Sequence, residues 1–244
     1  MTDWIRAYRP TPEAPVQLVC LPHAGGSAPF FHPLAGALAP AAEVLAVQYP
    51  GRQERRSEPL IDSIDELAGH VTEELLTRTG RPVVLFGHSL GGLLAFEVAR
   101  LLGAKGHPPA GLIVSGRRAP HLIRAGDRHL LADRDLLRHI ATLGGTDPRV
   151  LADEELIRMA LTVLRADYRA VETHRHEPGP PLGCPVTVLT GRDDPEVTAE
   201  DAQAWRRHTT ADFEVITFPG GHFYLVEQQQ AVIRVLSQRL ARWR

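Results

Sequence analysis

The tightest constraint in this chain is five residues long, Gly87-His88-Ser89-Leu90-Gly91. An apolar run, Val83-Val84-Leu85-Phe86, leads into it, and Leu90 opens a long apolar pattern of helical period over 90–105. A strand that turns into a helix over so few residues bends sharply, and the serine at the bend is held at strained backbone angles. The positions two before and two after that serine then have to be small. Gly87 and Gly91 meet this demand, and Gly92 lets the helix pack closer still. An ordinary helix N-cap would explain Ser89 but not both glycines.

The rest of the chain supplies the sheet that such a turn requires. Short β-rich runs fall at 16–22, 44–49, 83–86, 112–115, 186–190 and 213–218. Most are nearly continuous in apolar residues, as strands covered on both faces of a parallel sheet must be. Helical patterns at 64–79, 90–105 and 226–243 alternate with them. The expectation is one domain over 1–244 with the α/β-hydrolase fold: α/β, a mostly parallel, doubly wound sheet. The interval 120–181 breaks the rhythm and reads as an inserted helical lid. It holds helical patterns at 133–143 and 153–174, separated by Gly144-Gly145-Thr146-Asp147-Pro148. The second pattern puts Ile157, Leu161, Leu164, Tyr168 and Val171 on one face, widened by Leu156, Ala160 and Val163. Ordinary core packing accounts for each of these singly; the placement between two strands favours a lid for the whole.

Bulk properties exclude several classes. The net charge is −2, which gives no electrostatic case for nucleic acid. Cys20 and Cys184 each border an apolar run and read as buried free thiols, with no metal-ligand spacing around them. The first 15 residues lack the apolar stretch of a signal peptide, and no run approaches the about 18 apolar residues of a membrane span. Cytoplasmic residence as a monomer, with no membrane contact, no cofactor and no metal, is the expectation.

A serine hydroxyl is a poor nucleophile without a base. After a turn of this kind the partners follow in the order acid, then histidine. Gly191-Arg192-Asp193-Asp194-Pro195 follows the run 186–190, and Pro219-Gly220-Gly221-His222-Phe223 follows 213–218. Each therefore lies past a strand's C-terminal end, at the edge where Ser89 emerges. Of 12 histidines, only His222 follows both a candidate acid and a strand in a glycine-rich loop. The side chain of His88 is expected to point away from the site. His174 and His176 close the lid, and the histidines on other helices and loops read as surface residues. Spacing leaves the acid open between Asp193 and Asp194. An oxyanion needs donors. The N–H of Leu90 is one, and Leu21-Pro22-His23-Ala24-Gly25-Gly26-Ser27 offers that of Ala24.

Together these motifs resemble the type II thioesterases that accompany polyketide and nonribosomal peptide synthetases. The likeness covers nearly the whole chain. It rests on Pro22-His23-Ala24-Gly25-Gly26, on Tyr49-Pro50-Gly51-Arg52 followed by Glu54 and Arg55, and on the Ser89 turn. Gly191 with Asp194-Pro195, and Gly221-His222-Phe223, complete the set. The resemblance implies Ser89, Asp194 and His222 as catalytic residues. It also implies hydrolysis of acyl groups carried on the phosphopantetheine thiol of an acyl or peptidyl carrier protein. In related synthetase-linked domains the acid follows an earlier strand; here that place holds Gly116-Arg117-Arg118, with no carboxylate. Arg52, Arg55 and Arg56 could touch an acidic carrier or its phosphate; such charges are more often solvated or structural, the Pro50-Gly51 turn before them suggests loop shaping, and they stand outside the expected site. The turn alone is equally compatible with a general carboxylesterase or lipase, and a non-catalytic binding protein on the same scaffold is a third reading.

Overall fold

The structure is a computed structural model that describes residues 4–78, 80–124, 126–144 and 154–243. Seven strands form one sheet: β1 (Ile5–Arg6), β2 (Gln17–Leu21), β3 (Glu43–Val47), β4 (Val83–His88), β5 (Gly111–Ser115), β6 (Val186–Gly191) and β7 (Phe213–Phe218). Their order is β1-β3-β2-β4-β5-β6-β7. Among the described residues, only β1 runs antiparallel to its neighbour, and the other strand pairings are parallel. The six apolar runs read from the sequence are six of these strands, with ends shifted by up to two residues. β1 has two residues and no pattern long enough to read.

Each central strand is buried on both faces. In β2, Leu18 and Cys20 point into one apolar layer and Val19 and Leu21 into the other. The first layer is closed by α1 (His32–Leu38) and α8 (Gln229–Arg242). The second is closed by α2 (Ile64–Leu76) and α3 (Leu90–Ala104). This is the doubly wound α/β-hydrolase arrangement, and it explains why the strand runs lack polar alternation. The Ser63 side chain accepts a hydrogen bond from the Glu66 N–H and starts α2.

Three helical expectations change. The pattern at 64–79 ends its helix at Leu76, and Thr79 lies outside the described residues. The pattern at 226–243 is two helices, α7 (Tyr224–Glu227) and α8, broken at Gln228. α1 has no counterpart among the sequence patterns, because Pro33 and Gly36 dilute its period.

Between β5 and β6 lie α4 (Asp133–Leu143) and α5 (Glu154–Thr173). The break expected between them lies, from Gly145 to Pro148, outside the described residues, as does Asp153. On α5, Leu161 and Leu164 are buried as the periodicity predicts. Leu156 departs from the expected face and is 43% exposed. The same face carries a buried carboxylate, Asp167, which an apolar count passes over. With Leu136 of α4, the two leucines form a small cluster apart from the two large layers. After β6, a short helix α6 (Ala199–Gln203) begins at a capping box formed by Thr198 and Asp201. No described helix is long and apolar enough to cross a membrane.

Candidate active site

Ser89 stands between β4 and α3 with φ 54° and ψ −114°. A non-glycine residue at such angles is strained by about 1–3 kcal/mol and persists only where its surroundings hold it. Here the grip is backbone on backbone. The Ser89 N–H donates to Ser115 O at 2.8 Å. A Cβ on Gly87 would lie 1.9 Å from Gly91 O, and one on Gly91 would lie 2.0 Å from Leu21 O. Both glycines are therefore steric necessities, as the sequence pattern requires.

The candidate partners arrive from the next strands along the sheet. Past β6, the Asp194 carboxylate is fully enclosed and accepts the Glu196 N–H at 2.8 Å. Past β7, His222 is 3% exposed. Its Nδ1 lies 3.0 Å and 2.9 Å from the two Asp194 carboxylate oxygens. Asp193, the alternative acid, is exposed and meets this region through its backbone, donating to Gly220 O at 3.0 Å. The two loops touch so closely that a Cβ on Gly191 would lie 2.2 Å from Gly221 O.

Ser89, His222, Leu90 and Ala24 all line one cavity of about 190 Å³, which runs on beneath α4 and α5 past His139 and Tyr168. No hydrogen bond links Ser89 to His222 in this state of the site. Such bonds are often long before substrate binds. Around the candidate oxyanion site, the N–H groups of Ser89, Gly25 and Gly26 are all hydrogen-bonded. Among the described residues, those of Leu90 and Ala24 have no acceptor. The site therefore keeps two unused donors on the residues that sequence analysis selected for that role.

His88 meets expectation in one respect and departs from it in another. It does not line the cavity, but its buried ring stands 5.0 Å from that of His222. Its Nδ1 lies 3.0 Å from Ser115 Oγ, which is 2.7 Å from the Tyr224 hydroxyl. Burial, with His222 and His23 nearby, holds His88 well below the usual histidine range. His23 packs edge-on against Phe30 and Phe223, and burial together with His222 and Arg52 lowers it to about 3. Two neutral imidazoles thus follow His222 in a row, His88 beside it and His23 5.8 Å beyond His88. Strand alternation could have placed His88 in the interior; the meeting of three histidine rings could not be read without the fold. The expectation that the remaining histidines lie at the surface also fails for His208. It is buried, with its Nε2 2.7 Å from His121 Nδ1.

Two arginines that the sequence reading left outside the site lie at or beside it. Arg117 lines the cavity with a buried Nε that has no partner among the described residues. Its carbonyl accepts the Trp205 indole N–H at 2.8 Å, and burial with Arg118 lowers its guanidinium to about 9. Arg52 is 8% exposed, in contrast to a solvated charge, and forms a two-pronged ion pair with Asp167. Arg55 is also inside. It pairs with Glu58 at 2.6 Å and its guanidinium lies 4.2 Å from the centre of the Trp4 ring, whereas Arg56 is exposed. Nothing in the sequence pairs Arg52 with a residue more than a hundred positions away.

Comparison with known proteins gives the site its lineage. The family model for the thioesterase domain matches residues 16–240. A probable cadicidin biosynthesis thioesterase of Streptomyces griseus is 49% identical over 97% of this chain, which spans 66% of that protein's length. Thioesterase PikA5 of Streptomyces venezuelae is 49% identical over 97% of this chain and 85% of its own. The solved structure of the type II thioesterase BorB, from the borrelidin biosynthetic cluster, is 53% identical over 97% of both chains, with a TM-score of 0.91. The chain belongs to the type II thioesterase family of polyketide and nonribosomal peptide synthesis, built on the α/β-hydrolase fold.

Proposed function

We propose that this thioesterase hydrolyses acyl groups from the phosphopantetheine thiol of acyl or peptidyl carrier proteins, with Ser89 as nucleophile, His222 as base and Asp194 as the acid that orients it. The observation that carries this reading is the His222 Nδ1 contact with Asp194 at 2.9 Å, on a cavity that Ser89 and His222 share. His222 Nε2 takes the proton from Ser89 Oγ as the oxygen attacks the thioester carbon. The tetrahedral intermediate places its oxyanion on the Leu90 and Ala24 N–H groups. Collapse breaks the carbon–sulfur bond, and the imidazolium returns its proton to the thiolate. Water, deprotonated by His222, then attacks the acyl-enzyme; breaking the ester bond frees the acid and returns the proton to Ser89. Asp194 stabilises the imidazolium in both halves.

The segment 120–181 serves as a lid in this reading, supported by the cavity running beneath α4 and α5. The scheme uses no cofactor or metal; the pantetheine arm belongs to the substrate. Hydrolysis of this kind suits an editing role in the cytoplasm, clearing stalled acyl units from a synthetase. Ser89→Ala is expected to lower hydrolysis of an acyl-carrier panel by roughly 10⁴-fold or more. The unaltered enzyme is expected to favour the carrier thioester over an aryl ester of the same acyl group. Equal or faster ester turnover would move the assignment to a general carboxylesterase.

A further inference from the structure

The signature Tyr49-Pro50-Gly51-Arg52 has no part in the chemistry above, yet the fold places it directly under the loop that carries Ala24. Tyr49 donates its hydroxyl to Pro22 O at 3.0 Å, where the loop begins. Arg52 donates from Nη1 to Gly26 O at 3.2 Å, where it ends. From α5, Asp167 accepts the Gly25 N–H at 2.7 Å. Arg52 and Asp167 meet at 2.8 Å and 2.9 Å through both prongs of the guanidinium and both carboxylate oxygens. Their exposures are 8% and 1%.

We propose that Arg52 and Asp167 are positioning residues, a buried clamp that sets the direction of the Ala24 N–H by holding the loop on both sides of Gly25. This rests on the reading of Ala24 as an oxyanion donor. The loop needs such a device. Gly25 has φ +75° and Gly26 follows it, so the segment has unusual backbone freedom. Its one internal backbone bond runs from the Gly26 N–H to His23 O, at 2.9 Å. Without an external hold on Gly25 and Gly26, rotation about the Ala24 and Gly25 backbone could turn the Ala24 N–H away from the cavity.

A bond that merely fastened α5 to the domain would not need charge. Leu164, three residues before Asp167, already packs so closely that a Cβ on Gly25 would lie 2.8 Å from its Cδ2. Burying an ion pair strips both partners of water and is weak support for stability by itself. What the pair adds is direction. A planar fork and a carboxylate fix each other, and each then fixes a peptide group. The segment between β5 and β6 thereby contributes a residue to the geometry of the reaction and does more than cover it.

The test is steady-state kinetics on an acyl-carrier substrate with Asp167→Asn and Arg52→Lys, beside Ser89→Ala. Loss of one oxyanion donor costs about 10²–10³ in kcat, so a displaced donor is expected to cost about 10- to 100-fold. KM should stay within about twofold, since the donor acts on the oxyanion and not on the ground-state substrate. Arg52→Lys, which keeps the charge but not the fork, should retain more activity than Asp167→Asn. Binding of an alkyl boronic acid, which forms a tetrahedral adduct on serine, should weaken by the same factor as kcat. A folded Asp167→Asn enzyme with wild-type kcat, or a raised KM at constant kcat, overturns the clamp. In the unaltered protein the Gly25 amide should exchange with deuterium slowly; exchange at the rate of free peptide overturns it as well, even if both variants fail to fold. Should Ser89→Ala keep its activity, the serine mechanism falls; should only Ser89→Ala be inactive, the clamp alone falls.

Discussion

The edge of the sheet that carries Ser89 and the segment between β5 and β6 are held by different means. At the edge, backbone meets backbone. Gly87, Gly91 and Gly191 each sit where an added Cβ would strike a main-chain oxygen at about 2 Å. Under α4 and α5, side chain meets side chain. Leu136, Leu161 and Leu164 form a cluster of three buried residues, against the dozens in the layers that flank the sheet. Four of the five large hydrophobic side chains found exposed among the described residues, Ile123, Leu130, Leu156 and Met159, lie within 120–181. Main-chain contacts leave almost no choice of residue, so the positions of Ser89, Asp194 and His222 follow from topology. Side-chain contacts can be exchanged at modest cost, so the shape above Ser89 can vary with the residues that line it.

The largest effect that could break this contrast is at Gly91. Gly91→Ala should cost more than about 4 kcal/mol and leave little folded protein, because neither Leu21 O nor Pro22 O can retreat from the new methyl. Gly69, inside α2 with nothing near its missing Cβ, is the control. There, alanine should stabilise by about 0.5–1 kcal/mol. Denaturant unfolding of the two variants measures both, and a Gly91→Ala protein of ordinary stability would end the argument.

A smaller effect sharpens it. Leu94, fully buried on α3 against the sheet, should cost about 3–5 kcal/mol when cut to alanine. Leu136 is equally buried but packs in the small cluster, which can settle around the gap, so Leu136→Ala should cost about 2–3 kcal/mol. Equal losses would mean that the segment is packed as tightly as the core.

The smallest effect is on pH. His23 and His88, at the edge that carries Ser89, are held below the usual histidine range by burial and by neighbouring histidines. An unfolded chain therefore takes up protons first as the pH falls. The stability these two residues lend is complete above about pH 6.5 and declines below it, by at most about 1.4 kcal/mol per pH unit for each. Unfolding free energy should drop by about 1.5 kcal/mol between pH 8 and pH 6, and a rise over that range would contradict the buried neutral state.

The same contrast decides what could be read from the chain. The Ser89 turn, the strands and the candidate partners were legible because glycines at a fixed spacing and unbroken apolar runs are compatible with few folds. The contact of His222 with Asp194 follows once both are placed past adjacent strands. What stayed hidden depends on distance in sequence. Asp167 sits on the apolar face of α5, and only the folded chain shows that Arg52 meets it. His88 borders Ser89 in sequence, but its nearness to His222 requires β7 to be in place. β1 and α1 lacked signal for a simpler reason, being too short or too dilute in apolar residues.

The strand order has a further consequence, for folding. Ser89, Gly116, Asp194 and His222 each follow one of four neighbouring strands, β4 to β7, and Ala24 follows β2 on the other side of β4. No two of these residues belong to one local unit, and parallel pairing between distant segments is slow to form because long chain loops must close first. Helices can regain their hydrogen bonds early, while these residues remain scattered until the last strand docks. Turnover in a refolding solution therefore counts only molecules that have completed the sheet, making catalysis a stricter measure of finished topology than any spectroscopic signal of secondary structure.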